Sequence, residues 1–529
     1  MINLKSEGLS IVMEEGLNQV APLYEALRRY REKKDASFHV PGHKNGQALR
    51  GDERAILDLA RVMEIDVTEI TGTDDLHHPE GVIREAQGLA AAQFGAEETF
   101  FLVGGSTAGN LALILSVCTA PGDVLLVQRN VHKSVIHGLM LAGAHAVFLA
   151  PQQDAGSGLA TIPSEAAVRE ALRRYPGAKG LLLTHPSYYG MGAPLRPLAE
   201  LCHAHGVPLL VDEAHGAHFG QHPALPESAL AAGADGVVQS THKMLTALTM
   251  GAMLHVQGGL LDRALLRQRL AMLQSSSPSY PIMASLDLSR SLLGTQGPAF
   301  FEGGLAAAAH LRRGLAKLPR FGVVAPPGAS GRAAAYTIQD PLKLVIYDAS
   351  AALTGYKLQE RLEAEGCVPE MSDDRHVVLA LGPGSTMEDA DRLLQALVRI
   401  AAEAEQMGNA AGLSPDPVLA DELSTWNITA DEADLSEVSE PVPFGLTPLR
   451  PTEIEAISTQ ESIGRQAAEM IIPYPPGIPL LYPREIITEA VGQQLMKLRD
   501  SGAKCQGPAD PQLRTIQVKK RENQAYTCT

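Results

Sequence analysis

The chain has 529 residues, 45% of them hydrophobic, and Lys+Arg 44 against Asp+Glu 60 set its formal net charge at −16. That acidity argues against a general nucleic-acid binder, and the length allows two or three domains around a large core. Five scattered cysteines (Cys118, Cys202, Cys367, Cys505, Cys528) form no CxxC pair, which argues against a zinc ribbon or disulfide framework and for a reducing, cytoplasmic compartment. Residues 1–15 lack a signal-peptide core, and no apolar run of about 18 residues exists, so no membrane span is expected.

In chain order, residues 1–50 form an N-terminal helical segment. Its helix is predicted over 17–34 with a basic end, followed by the loop Pro41-Gly42-His43-Lys44-Asn45-Gly46. Residues 51–300 form the large domain. Within it, the acidic and imidazole run Asp74-Asp75-Leu76-His77-His78-Pro79-Glu80 lacks metal-type spacing; it reads as a polar loop or as a receiver for a cationic substrate. Apolar strands are predicted at 99–103, 124–128, 146–149, 180–184, 208–211, 236–239 and 252–256. Helices at 108–118, 132–142, 164–174 and 195–205 separate them. This alternation predicts an α/β fold with a mostly parallel sheet covered on both faces. A long helix over 284–315 leads into a smaller α+β unit, 301–405. Residues 406–445, rich in Ala, Asp, Glu, Ser and Pro, read as a linker. Residues 446–529 form a C-terminal domain in which Pro473-Tyr474-Pro475-Pro476-Gly477 separates two helical stretches, with a frayed polar tail from about Gln506.

Lys243 follows the apolar strand 236–239 in Gln239-Ser240-Thr241-His242-Lys243, and Asp212 ends another in Val211-Asp212-Glu213-Ala214-His215. A lysine nucleophile and an aspartate, each at a strand end, are what pyridoxal phosphate (PLP) requires. The lysine carries the cofactor, and the aspartate keeps the pyridinium nitrogen protonated. In doubly wound sheets ligands sit at that edge. Ser240 and His242 can bind the phosphate. Gly104-Gly105-Ser106-Thr107 after another strand reads as an anion site at a helix start, or as an N-cap only. His132, after a third strand, can stack on a flat ring or simply begin a helix. A metal reading of Asp212 with His215 and His218 explains less than the cofactor reading, and a helicase reading of Asp-Glu-Ala-His lacks a Walker A loop.

Together and in order, seven motifs resemble the Orn/Lys/Arg decarboxylases of PLP fold-type I, in their short bacterial form. They are PGHKNG (41–46), DVTEITGTDDLHHPEG (66–81), FFLVGGSTAGN (100–110), QRNVHKS (128–134), VDEAHGAHFG (211–220), QSTHK (239–243) and SSSPSYPIMASLD (275–287). IPYPPGIPLLYP (472–483) resembles the family's terminal domain. The resemblance implies an aspartate-aminotransferase-like fold, PLP on Lys243, and phosphate contacts from Gly105, Ser106, Thr107, Ser240 and His242. It also implies His132 on the ring, Asp212 at the ring nitrogen and His215 by the phenolic oxygen. The implied activity is decarboxylation of arginine, lysine or ornithine in a homodimer or higher oligomer with shared sites, and the 66–81 loop faces the partner's site. No metal, nucleic-acid or membrane partner is implied. Two departures stand out: His185 where Asn-Pro is common, and Arg484 where Pro-Gly-Glu is usual. An aminotransferase or aldolase of the same fold is the rival, with Arg375 as its candidate carboxylate clamp. A catalytically dead paralogue is a further one.

Overall fold

The structure, a computed structural model, describes residues 20–326, 335–411, 437–474 and 477–521. The segments 1–19 and 412–436, which hold the first turn of the expected N-terminal helix and most of the expected linker, lie outside the described residues, as does the end of the tail.

The large sheet takes β1 (Glu98–Leu102), β2 (Val124–Gln128), β3 (His145–Leu149), β6 (Leu181–Thr184), β8 (Leu209–Asp212), β9 (Gly236–Gln239) and β10 (Ala252–Val256). The hairpin strands β4 (Pro151–Gln153) and β5 (Ala160–Pro163) and the short β7 (Met191–Gly192) fall between them outside the sheet. The spatial order is β1-β10-β9-β8-β6-β2-β3, with the run from β9 to β3 parallel and β10 antiparallel to both its neighbours. Side chains alternate between faces along each strand. Leu125, Val127, Leu182, Leu210 and Val238 pack against helices Gly105–Val117, Lys133–Ala142 and Arg263–Leu273. Leu126, Leu181, Leu183, Leu209, Val211 and Val237 pack under helices Glu165–Arg174 and Arg196–Ala204 on the other face. Cover on both faces explains why the parallel strands read as unbroken apolar runs.

Gly109 sets the height of the helix Gly105–Val117 above the sheet. A Cβ there would stand 2.8 Å from both Leu102 and Val238, so only glycine lets the helix start come down onto the strand ends.

The expected helix over 284–315 is two helices, Tyr280–Gln296 and Ala299–Leu315, broken at Gly297-Pro298. Proline cannot supply the N–H that would carry the first helix onward. The smaller unit is an antiparallel sheet of β11 (Phe321–Val323), β13 (Lys343–Asp348), β15 (His376–Ala380) and β14 (Met371–Ser372), with helices Gly355–Ala364 and Met387–Ala411. One more short strand, β12 (Ile338–Gln339), pairs with β7. The end of the expected linker is structured: β16 (Val442–Pro443) adds an eighth strand to the large sheet beside β3.

The C-terminal unit has its own core of Ile471, Leu481, Ile487, Leu495, Ile516 and Val518. The stretch before the Pro473 loop is a strand, β17 (Ile454–Ser458), where a helix was expected. It pairs with β18 (Thr515–Lys519) in the part expected to fray, and Ile516 and Val518 on alternate positions bury that strand. Helix Glu489–Ser501 follows the loop as expected. Arg484 adopts φ +75°, a left-handed backbone that glycine takes without strain, and the turn forms with arginine in it.

Candidate active site

A cavity of about 1510 Å³ opens at the carboxyl ends of β2, β6, β8 and β9, where Gln128, Thr184, Asp212 and Ser240 line it. It exceeds the roughly 300–1,000 Å³ of an ordinary small-molecule site, so a flat cofactor and an amino acid fit together.

Asp212 ends β8, buried, opposite Val238 of β9. Its Oδ2 accepts from Asn110 Nδ2 at 2.8 Å and its Oδ1 from the Ala214 N–H at 3.1 Å. The same Asn110 nitrogen donates to Ser134 Oγ at 3.0 Å, and Ser134 Oγ lies 2.9 Å from His132 Nδ1. His132 is the N-cap of helix Lys133–Ala142 and accepts from the Ser134 N–H at 3.2 Å. Burial pushes its pKa down to about 4 against the pull of Asp212, so the ring is neutral at neutral pH. Asn110 closes the quoted motif GGSTAGN, yet only the three-dimensional meeting of three elements reveals its task.

Lys243 sits in the single turn Thr241–Met244 just after β9. Its side chain is reachable from the cavity yet surrounded by protein, and that loss of bulk water lowers its pKa while Asp212 and Glu370 oppose the shift. Lys243 Nζ lies 3.0 Å from Nε2 of the buried His215. On the far side of that imidazole, Lys343 Nζ lies 3.3 Å from Nδ1. Tyr188 covers the group: its ring centroid is 4.1 Å from that of His215, with Lys243 Nζ at 5.7 Å and Lys343 Nζ at 5.3 Å. Its hydroxyl donates to Glu370 Oε1 at 2.7 Å. Lys343 and Tyr188 escape a reading of motifs, because each carries a single signal far along the chain from Lys243.

The helix Gly105–Val117 has Gly104 as N-cap, without a side-chain cap, so neither Ser106 nor Thr107 is the cap. Gly105 donates its N–H to the Met250 carbonyl at 3.0 Å. Ser106 and Thr107, in the first turn, have no intrahelical acceptor for theirs, and both line the cavity. Ser240 Oγ, fully buried at the cavity wall, has no hydrogen-bond partner among the described residues. A buried hydroxyl without a partner is costly, and an anion at this helix start removes the cost. His242 also lines the cavity, with Nδ1 donating to the Gly251 carbonyl at 3.0 Å. This donor set, one carboxylate and one accessible lysine fit PLP.

The C-terminal unit forms one wall. Gly477, at φ +87°, accepts from the Lys133 N–H at 3.0 Å, and a Cβ there would come within 3.1 Å of His132 Nε2. Arg129 fastens this wall: it donates to the Pro479 and Leu480 carbonyls, pairs with Glu485 at 2.9 Å, and lies over the Tyr482 ring at 4.8 Å.

Other expected residues stand elsewhere. Asp74 is spent on local backbone: its carboxylate accepts N–H bonds from Glu80, Gly81 and Ile83, and that of Asp75 accepts from His77. His185 is buried beside Gly192 and Phe219, and it is not among the cavity-lining residues. Arg375 lies over the Tyr347 ring at 4.9 Å, likewise outside the cavity lining. Among the described residues no cluster of His, Cys, Asp or Glu suits a metal, and no helix is long and apolar enough to cross a membrane.

Comparison with known proteins agrees with this geometry. Residues 21–389 match the model of the Orn/Lys/Arg decarboxylase major domain, and residues 447–527 match that of the Orn/Lys/Arg decarboxylase C-terminal domain. An uncharacterized Bacillus subtilis protein, YaaO, is 42% identical over 92% of this chain and 96% of its own. Arginine decarboxylase of Bacillus subtilis is 36% identical over 95% of this chain and 98% of its own. The crystal structure of the Francisella novicida lysine decarboxylase LdcF superposes with a TM-score of 0.76 at 20% identity, covering 95% of this chain and 81% of that one. The chain therefore belongs to the Orn/Lys/Arg decarboxylase family, with the fold of PLP fold-type I.

Proposed function

We propose that this enzyme decarboxylates a basic amino acid with PLP, releasing carbon dioxide and the corresponding amine of polyamine metabolism. The observation that carries the reading is Asp212 and Lys243 at the ends of adjacent parallel strands, beside a helix start and a partnerless Ser240 hydroxyl. Arginine is the substrate to test first, because relatives 34–36% identical over 94–95% of this chain carry the name arginine decarboxylase.

Bound PLP supplies an electron sink for the pair left behind when the carboxylate departs. Lys243 would anchor it through Nζ, and Asp212, braced by Asn110 and Ala214, would hold a proton on its ring nitrogen. His132, a neutral ring, would stack on it, and His215 would serve its phenolic oxygen. The Ser106 and Thr107 N–H groups, with Ser240, His242 and Gly105, would hold the phosphate. Tyr188 and the loop at Gly477 would limit water at the reacting carbon.

We also propose a cytoplasmic homodimer. No residue of helix Glu53–Met63 is buried, and Ile56, Leu57, Leu59 and Val62 are exposed along it, which supports a partner there. The rival aminotransferase loses its support with Arg375 outside the cavity lining. Incubating the PLP-loaded protein with arginine, lysine and ornithine separately, and measuring carbon dioxide, amine and keto acid, tests the function. Lys243→Ala serves as the blank. Keto acid without carbon dioxide would replace this reading with the aminotransferase.

A further inference from the structure

His215 stands between two amines, and its bonding capacity limits what both can be. A neutral imidazole has one N–H and one acceptor nitrogen, whereas an ammonium only donates. Nε2 faces Lys243 Nζ at 3.0 Å and Nδ1 faces Lys343 Nζ at 3.3 Å. Burial, then Lys243 and Lys343, hold the pKa of His215 well below its ordinary value, so the imidazole is neutral. Two ammoniums cannot both donate to it. One amine of the row must be neutral and accept from the imidazole N–H.

The surroundings differ at the two ends. The row is faced by Asp212 and Glu370 near Lys243, by Glu370 and Asp340 near Lys343, and by His132 and His242 beside His215. Asp212 is already engaged by Asn110 and Ala214, and in the function proposed above it serves the ring nitrogen. Asp340 stays with the Lys343 end, 3.0 Å from His218 and fully buried. Lys343 itself begins β13 of the smaller unit and is buried, and the Tyr188 ring lies beside both amines, 5.3 Å from Lys343 Nζ and 5.7 Å from Lys243 Nζ.

We propose that Lys343 is a positioning residue: by donating to His215 Nδ1 it fixes the imidazole as the Nε2–H tautomer and leaves Lys243 a neutral amine. The nucleophile needs that lone pair to bond to an aldehyde carbon. If Lys243 holds the extra proton, the row moves it without net change of bonds. An N–H breaks at Lys243 and forms at Nε2, while the Nδ1–H breaks and an N–H forms at Lys343. Burial lowers both amines, Lys343 to about 8 against the pull of Glu370 and Asp340, and Lys243 against that of Asp212 and Glu370.

The proposal rests on Lys243 being the cofactor lysine, and the test separates the two. Full-length chain freed of cofactor, as wild type, Lys343→Met and Lys343→Arg, is mixed with PLP over a range of pH. Covalent uptake is followed by absorbance, trapped with borohydride and mapped to a peptide. In Lys343→Met nothing donates to Nδ1, so Lys243 keeps its proton: the pH midpoint of uptake rises by about one unit or more, and uptake at neutral pH falls about tenfold. Lys343→Arg, which still donates, keeps the wild-type midpoint. A wild-type midpoint in Lys343→Met, with label on Lys243, overturns the proposal. Label on a different lysine overturns the assignment of Lys243 and this proposal with it, and the labelled peptide identifies that outcome. If Lys343→Met does not fold, ¹⁵N-histidine NMR of the wild-type chain decides: an Nε2–H signal for His215 supports the proposal and an Nδ1–H signal overturns it.

Discussion

Asn110 donates to Asp212 across the top of the sheet at 2.8 Å, from a nitrogen that also reaches Ser134. The helix that offers N–H groups at its start thus also braces the carboxylate one turn and a half further on. Both the helix start and the Asp212 carboxylate are placed by one element.

Asp212→Asn should therefore lower turnover on the order of a hundredfold, in line with the loss of one preorganised electrostatic contact, while PLP still binds through its phosphate. Asn110→Leu should give a smaller loss, roughly tenfold, because the carboxylate remains but is no longer held. Steady-state kinetics with saturating PLP, beside a fluorescence titration of PLP binding, check both. A near-normal kcat in Asp212→Asn refutes the role given to this carboxylate.

Arg129→Met should loosen the C-terminal unit. The side chain of Glu485 is only 18% exposed and would lose its guanidinium partner, a change that costs about 3 kcal/mol in buried pairs. Differential scanning calorimetry should show an earlier transition, and Arg129→Met with Glu485→Gln together should recover part of it. Equal loss in the single and double variants would mean that the pair is not what fastens this wall.

Acid should destabilise the fold through its buried histidines. Burial holds His185 down to about 4, whereas in the unfolded chain it titrates near 6.5. Between these values the unfolded state binds the extra proton, so stability rises with pH through the window and is lost as pH falls from about 6.5 toward 4. The slope is at most about 1.4 kcal/mol per pH unit for one group. His185→Asn, which removes the titrating ring, should flatten that acid limb. Thermal midpoints measured across the window check it, and an unchanged slope in the variant assigns the effect elsewhere.

Arg484→Gly should stabilise the C-terminal unit. Its backbone is held at φ +75° with the side chain exposed, and a left-handed non-glycine residue costs roughly 1–2 kcal/mol. Part of that returns as greater unfolded-state freedom of glycine, so a net gain of about 1 kcal/mol is expected in urea unfolding. A loss of stability would mean that the Arg484 side chain is doing something its exposure does not suggest.

Much of this site is legible in one dimension, because Asp212, Lys243, His132 and Ser240 each stand where an apolar strand gives way to a polar residue, and a parallel sheet collects such ends along one edge. What the chain order conceals is anything brought in from a second unit. Lys343 reads as the first residue of an apolar strand 100 positions beyond Lys243, and nothing local marks its amine as facing His215. Asp74 shows another ambiguity: acidic residues in a loop suit a cationic ligand or local backbone, and here the N–H groups of Glu80, Gly81 and Ile83 engage its carboxylate. The tail from Gln506 looks polar by composition, yet alternation in Thr515–Lys519 buries every second side chain.

The contact of Gly477 with His132 and Lys133 bears on how this protein can be taken apart. The two family models divide the chain between residues 389 and 447, but the cavity is not divided there. A fragment ending before residue 447 would keep Asp212 and Lys243 and lose the surface that backs His132. A chimera carrying a relative's last 80 or so residues would exchange part of the reaction chamber along with its outer shell. The two modules are therefore sterically tied: a side chain at residue 477 would press on His132, more than 300 residues earlier in the chain.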